Sequence, residues 1–269
     1  MNLAEYNHFT EELRLKLAGD DRVLALVAVG SMTQQDYQPD EWSDHDFFVI
    51  TIHGVQEDMR RDLSWLPRPD ELVFSFRETE HGMKALYAGG HLLEFAIFNE
   101  AELQLARLNR YRVLLDKAEI APKLAELALT TQDYVAQAQT DPSGRFAEFL
   151  MNLFVGAGRY ARGEHLSGHQ FIKTHALTHL LRLLGEFHTS EAQHLLDNLD
   201  PFRRFEQVFP QLGAEINRIL AQNTLLAAEG LLALAVQELR PFFTPFPDAA
   251  VTEVQHMIAR AKQEGKDEF

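Results

Sequence analysis

The apolar residues of this 269-residue chain change their spacing near Ala118. Before that residue they form short continuous runs bounded by glycine or polar residues, which is typical of buried strands. After it they recur every three or four residues, which is typical of amphipathic helices. We therefore predict an α+β domain, a mixed sheet with flanking helices, followed by an all-α helical bundle domain.

The first half begins with a predicted helix from Leu3 to Leu17, which Gly19 ends. Strand patterns follow it, and Gly89-Gly90 lies between two of them, which favours a hairpin. The predicted strands cover residues 23–29, 45–51, 72–76, 85–87, 91–98 and 111–116.

The second half contains only helical patterns. A helical stripe runs from Phe146 to Ala157, and prolines at 201, 210 and 241 separate the later helices. The best turn-forming cluster in the middle of the chain is Thr-Asp-Pro-Ser-Gly at 140–144. We predict the domain boundary there, with domains at 1–140 and 141–269.

Composition excludes several classes of protein. The formal net charge of −15 disfavours nucleic acid as a partner and favours a cationic small molecule. The most apolar segment, Leu225 to Val236, is interrupted by Glu229, and the first residues lack the pattern of a signal peptide. There are no cysteines, which excludes disulfides and cysteine-ligated zinc. We expect a cytoplasmic monomer or homodimer without membrane contacts.

One segment combines a glycine turn with paired carboxylates. A predicted strand ends at Gly30-Ser31, where a residue without a side chain lets the backbone approach a phosphate closely. Asp44 and Asp46 are two residues apart at the start of the next strand, so their carboxylates point to one face. Two such carboxylates repel each other unless a divalent cation lies between them. Magnesium, which binds carboxylate and phosphate oxygens together, suits the arrangement.

A third carboxylate, Glu94, lies in an otherwise apolar strand between Leu93 and Phe95. Burial there is costly unless the group is paired or bound to a metal. The alternative is that Glu94 faces solvent on an edge strand.

The order Gly30-Ser31, Asp44-x-Asp46, Glu94 resembles the nucleotidyltransferase superfamily, which includes DNA polymerase β and antibiotic-inactivating adenylyltransferases. Segments 30–44, 90–95 and 152–164 follow in the order seen in lincosamide nucleotidyltransferases and, more loosely, in streptomycin-type aminoglycoside adenylyltransferases. The resemblance implies a nucleotidyltransferase domain followed by a helical domain that closes the cleft and shapes the acceptor pocket.

The resemblance also implies roles for the motif. Gly30 and Ser31 would hold a nucleoside triphosphate, while Asp44 and Asp46 would bind two magnesium ions, with Asp46 bridging them. Glu94 would be a third metal ligand or the base for the acceptor hydroxyl. The implied reaction moves a nucleoside monophosphate, AMP from ATP in the first instance, to a hydroxyl of a small molecule and releases pyrophosphate. An aminoglycoside or lincosamide antibiotic is the type of acceptor implied.

The chain departs from the family pattern at two places. His45 replaces the usual apolar residue between the aspartates, and we expect it to be packed or hydrogen-bonded away from the metal. The phosphate-binding lysine of the streptomycin-type enzymes has Lys173 as its nearest replacement, with Arg159 and Arg162 as weaker candidates. A solvated helix lysine is an equally good interpretation of Lys173.

Other interpretations remain open. The fold could serve as a non-catalytic nucleotide sensor or a toxin–antitoxin partner, or it could modify a protein or a tRNA end, although no basic rim supports the last. The pairs His165/His169 and His175/His179 have metal-ligand spacing but lack a HExxH motif, which disfavours zinc. Trp42 precedes the aspartates, where packing is its more common use and stacking on a ligand the alternative.

Overall fold

A computed structural model describes residues 1–35, 38–137 and 141–264 of the chain. The described residues form two compact units, Met1–Ala136 and Gln137–Phe269, each with its own apolar core. Thr140, at the predicted domain boundary, lies outside the described residues. The catalytic and acceptor roles predicted for the two halves remain predictions.

The first unit contains the predicted N-terminal helix, the predicted strands and further short helices. The hairpin predicted around Gly89-Gly90 is formed by two antiparallel strands, Gly82–Tyr87 and Leu92–Asn99. In chain order the elements are α1 (Leu3–Ala18), β1 (Val23–Ala28), a 3₁₀ helix (Gly30–Thr33), β2 (His45–Thr51), α2 (Gln56–Arg61), β3 (Leu72–Arg77), β4 (Gly82–Tyr87), β5 (Leu92–Asn99), a 3₁₀ helix (Glu102–Leu105), β6 (Arg112–Asp116) and α3 (Ala121–Gln137).

The strands form one mixed sheet in the order β3-β4-β5-β2-β1-β6. Strands β2 and β5 are parallel, and the other neighbouring pairs are antiparallel. The predicted fold class is therefore confirmed. Because β5 is an internal strand, the alternative that placed Glu94 on an edge strand is wrong.

The two faces of the sheet differ in what covers them. One face is buried against α1 and α2, and its residues alternate along each strand with those of the other face. At one end of that second face, Ile50 and Phe98 pack with Leu124 of α3. At the other end, the same face carries Asp46 and Glu94. The apolar packing therefore covers one end of this face, and the carboxylates at the other end are only partly buried.

The second unit is all-α, as predicted. Its buried apolar residues form one core, to which the helices Pro142–Ala161, Leu177–Phe187, Thr224–Leu239 and Asp248–Glu264 all contribute. A π-helical segment, Phe171–Ala176, joins α5 to α6. Within the described ranges no helix has both the length and the apolar character needed to cross a bilayer. The helices are α4 (Pro142–Ala161), α5 (His165–Gln170), α6 (Leu177–Phe187), α7 (Phe205–Val208), α8 (Pro210–Leu220), α9 (Thr224–Leu239) and α10 (Asp248–Glu264).

Candidate metal and nucleotide site

Three carboxylates meet on the partly open face of the sheet. Asp44 directly precedes β2, Asp46 is the second residue of β2, and Glu94 lies on β5. Because β2 and β5 are parallel with Asp46 opposite Glu94, these two side chains project from the same side. Each of the three residues is partly buried, and each offers a carboxylate oxygen such that these atoms lie within 4.8 Å of one another. The structure thus brings together the three carboxylates that the sequence singled out.

Gly30 forms the turn that closes over Asp46. Its φ is +54°, in the left-handed region, and a Cβ at this position would lie 2.3 Å from Asp46 Oδ2. A carbon atom that is not bonded to a carboxylate oxygen cannot approach it so closely. The turn can therefore lie against the acidic cluster only because residue 30 lacks a side chain.

The Ser31 hydroxyl is buried and holds the backbone of Asp44. It donates to the Asp44 carbonyl at 3.1 Å. The Tyr6 hydroxyl lies 3.1 Å from Ser31 Oγ and donates to the same carbonyl at 2.8 Å. In the structure its hydroxyl orients the chain that carries Asp44, and the triphosphate-binding role of Ser31 stays a prediction. This leaves the main chain of the Gly30-Ser31 turn as the part that can approach a phosphate.

Lys84, which the sequence analysis did not single out, lies beside the cluster. It is opposite Glu94 in the β4–β5 pairing, and its Nζ is 2.8 Å from Glu94 Oε1. The same ammonium is 3.0 Å from Glu78 Oε1. Hydrogen bonds to Glu94, and secondarily to Glu78, raise the pKa of Lys84 above its ordinary value. The third carboxylate of the cluster is thus already paired with a cation from the protein itself.

His45 lies on the opposite side of the sheet from the carboxylates. Its ring stacks on Tyr6 with a centroid distance of 3.8 Å, and its Nε2 is 3.0 Å from Thr10 Oγ1. Its Nδ1 is 2.8 Å from Nε2 of His91. Burial, and then the charge of His91, lower the pKa of His45 to about 3, and burial lowers the pKa of His91 to about 4. His45 is therefore a packed, neutral residue under the site, as predicted.

The donor set fits a magnesium ion. Carboxylate oxygens are the hard ligands that magnesium prefers, and it commonly takes its remaining ligands from water and phosphate. Among the described residues, this is the one group of three or more acidic, histidine or cysteine side chains with metal-ligand spacing. Neither predicted histidine pair belongs to it, and His169 Nδ1 is instead 2.6 Å from the Thr224 hydroxyl.

The predicted phosphate-binding cations lie in the helical unit and contact groups of that unit. Lys173 Nζ donates to the carbonyls of Leu220 and Gln222 at 2.8 and 2.7 Å, where α8 ends. Arg159 donates to the Ser167 hydroxyl, and Arg162 pairs with Glu164. Lys173 thus stabilises the end of a helix, and its phosphate role remains a prediction.

Aromatic residues occur near the cluster in two ways. Trp42 is near it in the sequence, and two phenylalanines of β3 lie on the same face of the sheet. Trp42, two residues before Asp44, is 86% exposed, so the expectation that it packs is wrong. On the edge strand β3, Phe76 lies opposite Lys84 and Phe74 opposite Leu86. These phenylalanines therefore share the face of Lys84 and Glu94, and they are 42% and 58% exposed.

Comparisons with known proteins find similarity among solved structures but not among family models or curated proteins. No protein-family model matches the chain, and no curated protein matches it significantly. Among solved structures, it is similar to an aminoglycoside 6-adenyltransferase from Bacillus subtilis. The identity is 12%, the TM-score is 0.34, and the match covers 95% of this chain and 97% of that chain. A likeness at this level supports no conclusion about activity.

Proposed function

We propose that this protein is a magnesium-dependent nucleotidyltransferase that moves a nucleoside monophosphate to a hydroxyl of a small molecule. The observation that supports it best is the cluster of Asp44, Asp46 and Glu94, with Gly30 closed over Asp46. Three carboxylates can bind a divalent cation, and the glycine beside them leaves space for a phosphate chain to approach the backbone. The site therefore suits a ligand that brings both. ATP is the first nucleotide to test, with AMP as the group transferred.

Each part of the cluster has a proposed role. Asp44 and Asp46 would hold magnesium, whose positive charge would neutralise the triphosphate and favour charge transfer to the leaving pyrophosphate. The main chain at Gly30-Ser31 would lie along the phosphates. The buried Tyr6 and Ser31 hydroxyls, both bonded to the Asp44 carbonyl, keep that carboxylate in place.

The proposed reaction is a single displacement at phosphorus. The acceptor oxygen forms a bond to the α-phosphorus while the bond from that phosphorus to the oxygen bridging it to the β-phosphorus breaks. The products are the nucleotidylated acceptor and pyrophosphate. As the new bond forms, the acceptor hydroxyl would give up its proton to the Glu94 carboxylate.

The acceptor would lie on the side of the cluster away from β2. Beyond Glu94 the same face carries Lys84 and then Phe76 and Phe74. Exposed aromatic side chains next to a polar site can cover the apolar side of a sugar or ring system. The net charge of −15 favours a cationic compound. Aminoglycosides and lincosamides are therefore the first acceptors to test.

The decisive experiment measures pyrophosphate release with magnesium, each of the four nucleoside triphosphates and a panel of aminoglycosides and lincosamides. Asp46→Asn should abolish release, since it removes a proposed metal ligand with little change in shape. Asp70→Asn, at an exposed aspartate outside the cluster, is the matched control and should leave release unchanged. Equal activity of Asp46→Asn and the wild type would refute the proposed role of the cluster.

Binding without turnover would instead indicate a nucleotide sensor. Trp42 is exposed and Trp65, the second of the two tryptophans, is buried, so tryptophan fluorescence can report on ligands near Asp44. A fluorescence change with Mg-ATP, lost in Asp46→Asn but without pyrophosphate release for any acceptor, would favour the sensor.

A further inference from the structure

Trp42 is a large aromatic residue that the fold leaves in solvent, at 86% exposure. The other tryptophan, Trp65, is buried, and its indole Nε1 donates to the Met59 carbonyl at 2.8 Å. For Trp42, neither an indole hydrogen bond nor a ring contact is found within residues 1–35, 38–137 and 141–264. Because an indole is a large apolar surface with one polar N–H, it is usually packed or hydrogen-bonded. Trp42 therefore suits a residue whose partner is a ligand.

A hydrogen-bonded turn holds Trp42 in this exposed position. Asp40 Oδ1 accepts from the backbone N–H of Trp42 and from the Ser43 hydroxyl, both at 3.0 Å. The Ser43 N–H donates to the Asp40 carbonyl at 3.2 Å, which closes the turn. The exposure of the indole is thus set by the hydrogen bonds of the main chain around it.

Trp42 is close in the chain to the part of the site proposed for the phosphates. The connection from β1 to β2 contains the Gly30-Ser31 turn near its start and Asp44 at its end. These two ends meet, since the Ser31 hydroxyl donates to the Asp44 carbonyl at 3.1 Å. The Cα atoms of Trp42 and Asp44 can be at most about 7 Å apart, because an extended chain spans about 3.3–3.6 Å per residue. The proposed acceptor surface lies instead beyond Glu94, on β4 and β3.

We propose that Trp42 stacks on the base of the nucleoside triphosphate. This inference rests on the proposed function and adds a contact to the base, since the roles proposed above concern the metal, the phosphates and the acceptor. Every base has a π face, so stacking on an aromatic side chain does not depend on which base is present. Trp42 would therefore strengthen the binding of all four nucleotides without selecting among them.

The test compares two ligands that carry a triphosphate chain, one with a base and one without. They are α,β-methylene-ATP, whose linkage between the α- and β-phosphorus cannot be cleaved to release pyrophosphate, and inorganic tripolyphosphate. Each is titrated into the protein with magnesium in a calorimeter. Trp42→Ala should raise the Kd of α,β-methylene-ATP by about five- to 150-fold, the range for loss of one stack between a base and an aromatic side chain. The Kd of tripolyphosphate should stay the same.

Two further variants and a quenching measurement make this result specific. Trp42→Phe should retain most of the affinity for the nucleotide, because phenylalanine also has an aromatic face. Leu129→Ala, at an exposed apolar residue of α3, is the control and should leave the Kd of both ligands unchanged. In the wild type, α,β-methylene-ATP should protect the exposed tryptophan from quenching by acrylamide, whereas tripolyphosphate should not. Trp65 is buried and should contribute little to this change.

An equal loss of affinity for both ligands in Trp42→Ala, or no loss for either, would overturn the proposal. An unchanged Kd for the nucleotide with a raised KM for the acceptor would also overturn it and would place Trp42 against the acceptor. Normal binding of tripolyphosphate with magnesium in Asp46→Asn would instead refute the metal site of the proposed function. The failures of the two proposals are therefore distinguishable. Circular dichroism melting of every variant checks that the fold is retained.

Discussion

Replacing Gly30 with alanine tests the close contact between the glycine turn and Asp46. The new Cβ would lie 2.3 Å from Asp46 Oδ2, so the carboxylate must move. The backbone φ of +54° adds a cost of about 1–2 kcal/mol for a residue with a side chain. We therefore expect two separate effects, a loss of stability from the backbone and a loss of metal binding from the displaced carboxylate.

Gly54→Ala separates these two effects. Gly54 also has a positive φ, +93°, but nothing lies within 4 Å of the position of its Cβ. Since +93° is farther than +54° from the left-handed minimum near about +57°, the backbone cost at Gly54 should be at least as large. Both variants should therefore lose about 1–2 kcal/mol in the free energy of unfolding, while Gly54→Ala binds metal normally.

The metal affinity of Gly30→Ala should fall by at least about tenfold, equivalent to about 1.4 kcal/mol, because Asp46 leaves the ligand cluster. Mn²⁺ titration measures this affinity, and urea unfolding of the metal-free proteins measures stability. Unchanged Mn²⁺ binding in Gly30→Ala, or an equal loss in Gly54→Ala, would show that the contact with Asp46 does not position the ligand.

Two further predictions concern the packing under the site and the acceptor side. Because the pKa of His45 in the folded protein is about 3, below its ordinary 6.5, the unfolded chain binds the extra proton first as the pH falls. Stability should therefore decrease from about pH 6.5 towards pH 3, by at most about 1.4 kcal/mol per pH unit for one histidine. Urea unfolding between pH 7 and 5, above the range where most carboxylates titrate, measures this slope. His45→Gln should flatten it, and a slope identical to that of the wild type would contradict the assignment. Phe76→Ala should lower the free energy of unfolding by only about 1 kcal/mol, since the side chain is 42% exposed and loses about half of what a fully buried phenylalanine would. It should nevertheless raise the KM of the acceptor while leaving that of the nucleotide unchanged; equal changes in both would argue against an acceptor surface there.

The sheet was predictable because its strands are short apolar runs between turn residues. The period of two also placed Asp44 and Asp46 on one face without any knowledge of their neighbours. Glu94 was recognised by a different argument, the cost of a carboxylate in an apolar strand. Its proximity to Asp46 depends on the parallel pairing of β2 with β5, which are separated in the sequence by β3 and β4.

Side chains whose surroundings depend on distant partners are the ones that local sequence patterns describe least well. The sequence predicts a phosphate ligand at Ser31 because it follows a glycine, but it does not show that the hydroxyl is buried against Tyr6, 25 residues away in the chain. Trp42 reads as a core residue because tryptophans usually pack, yet it is 86% exposed. Local patterns assign a residue to a strand or turn, whereas the partners of its polar atoms come from tertiary structure.

Lys84 illustrates how small a change in register would alter the site. A two-residue turn at Gly89-Gly90 would place Ala88 opposite His91 and hence Lys84 opposite Phe95. In the structure the backbone N–H of Tyr87 donates to the His91 carbonyl, so the loop has three residues, 88–90. Each residue of β4 is therefore paired one position earlier on β5, and Lys84 lies opposite Glu94. A shift of one residue moves a side chain to the other face of the sheet.

With the shorter loop, Lys84 would lie over the residues that pack against α1 and α2, and an ammonium there would be buried without a carboxylate. The observed loop instead places it beside Glu94. The length of one hairpin loop therefore determines whether the third carboxylate of the cluster has a cation of its own. The sequence analysis did not identify Lys84 as the partner of Glu94 because no local pattern marks a pairing between side chains on two different strands.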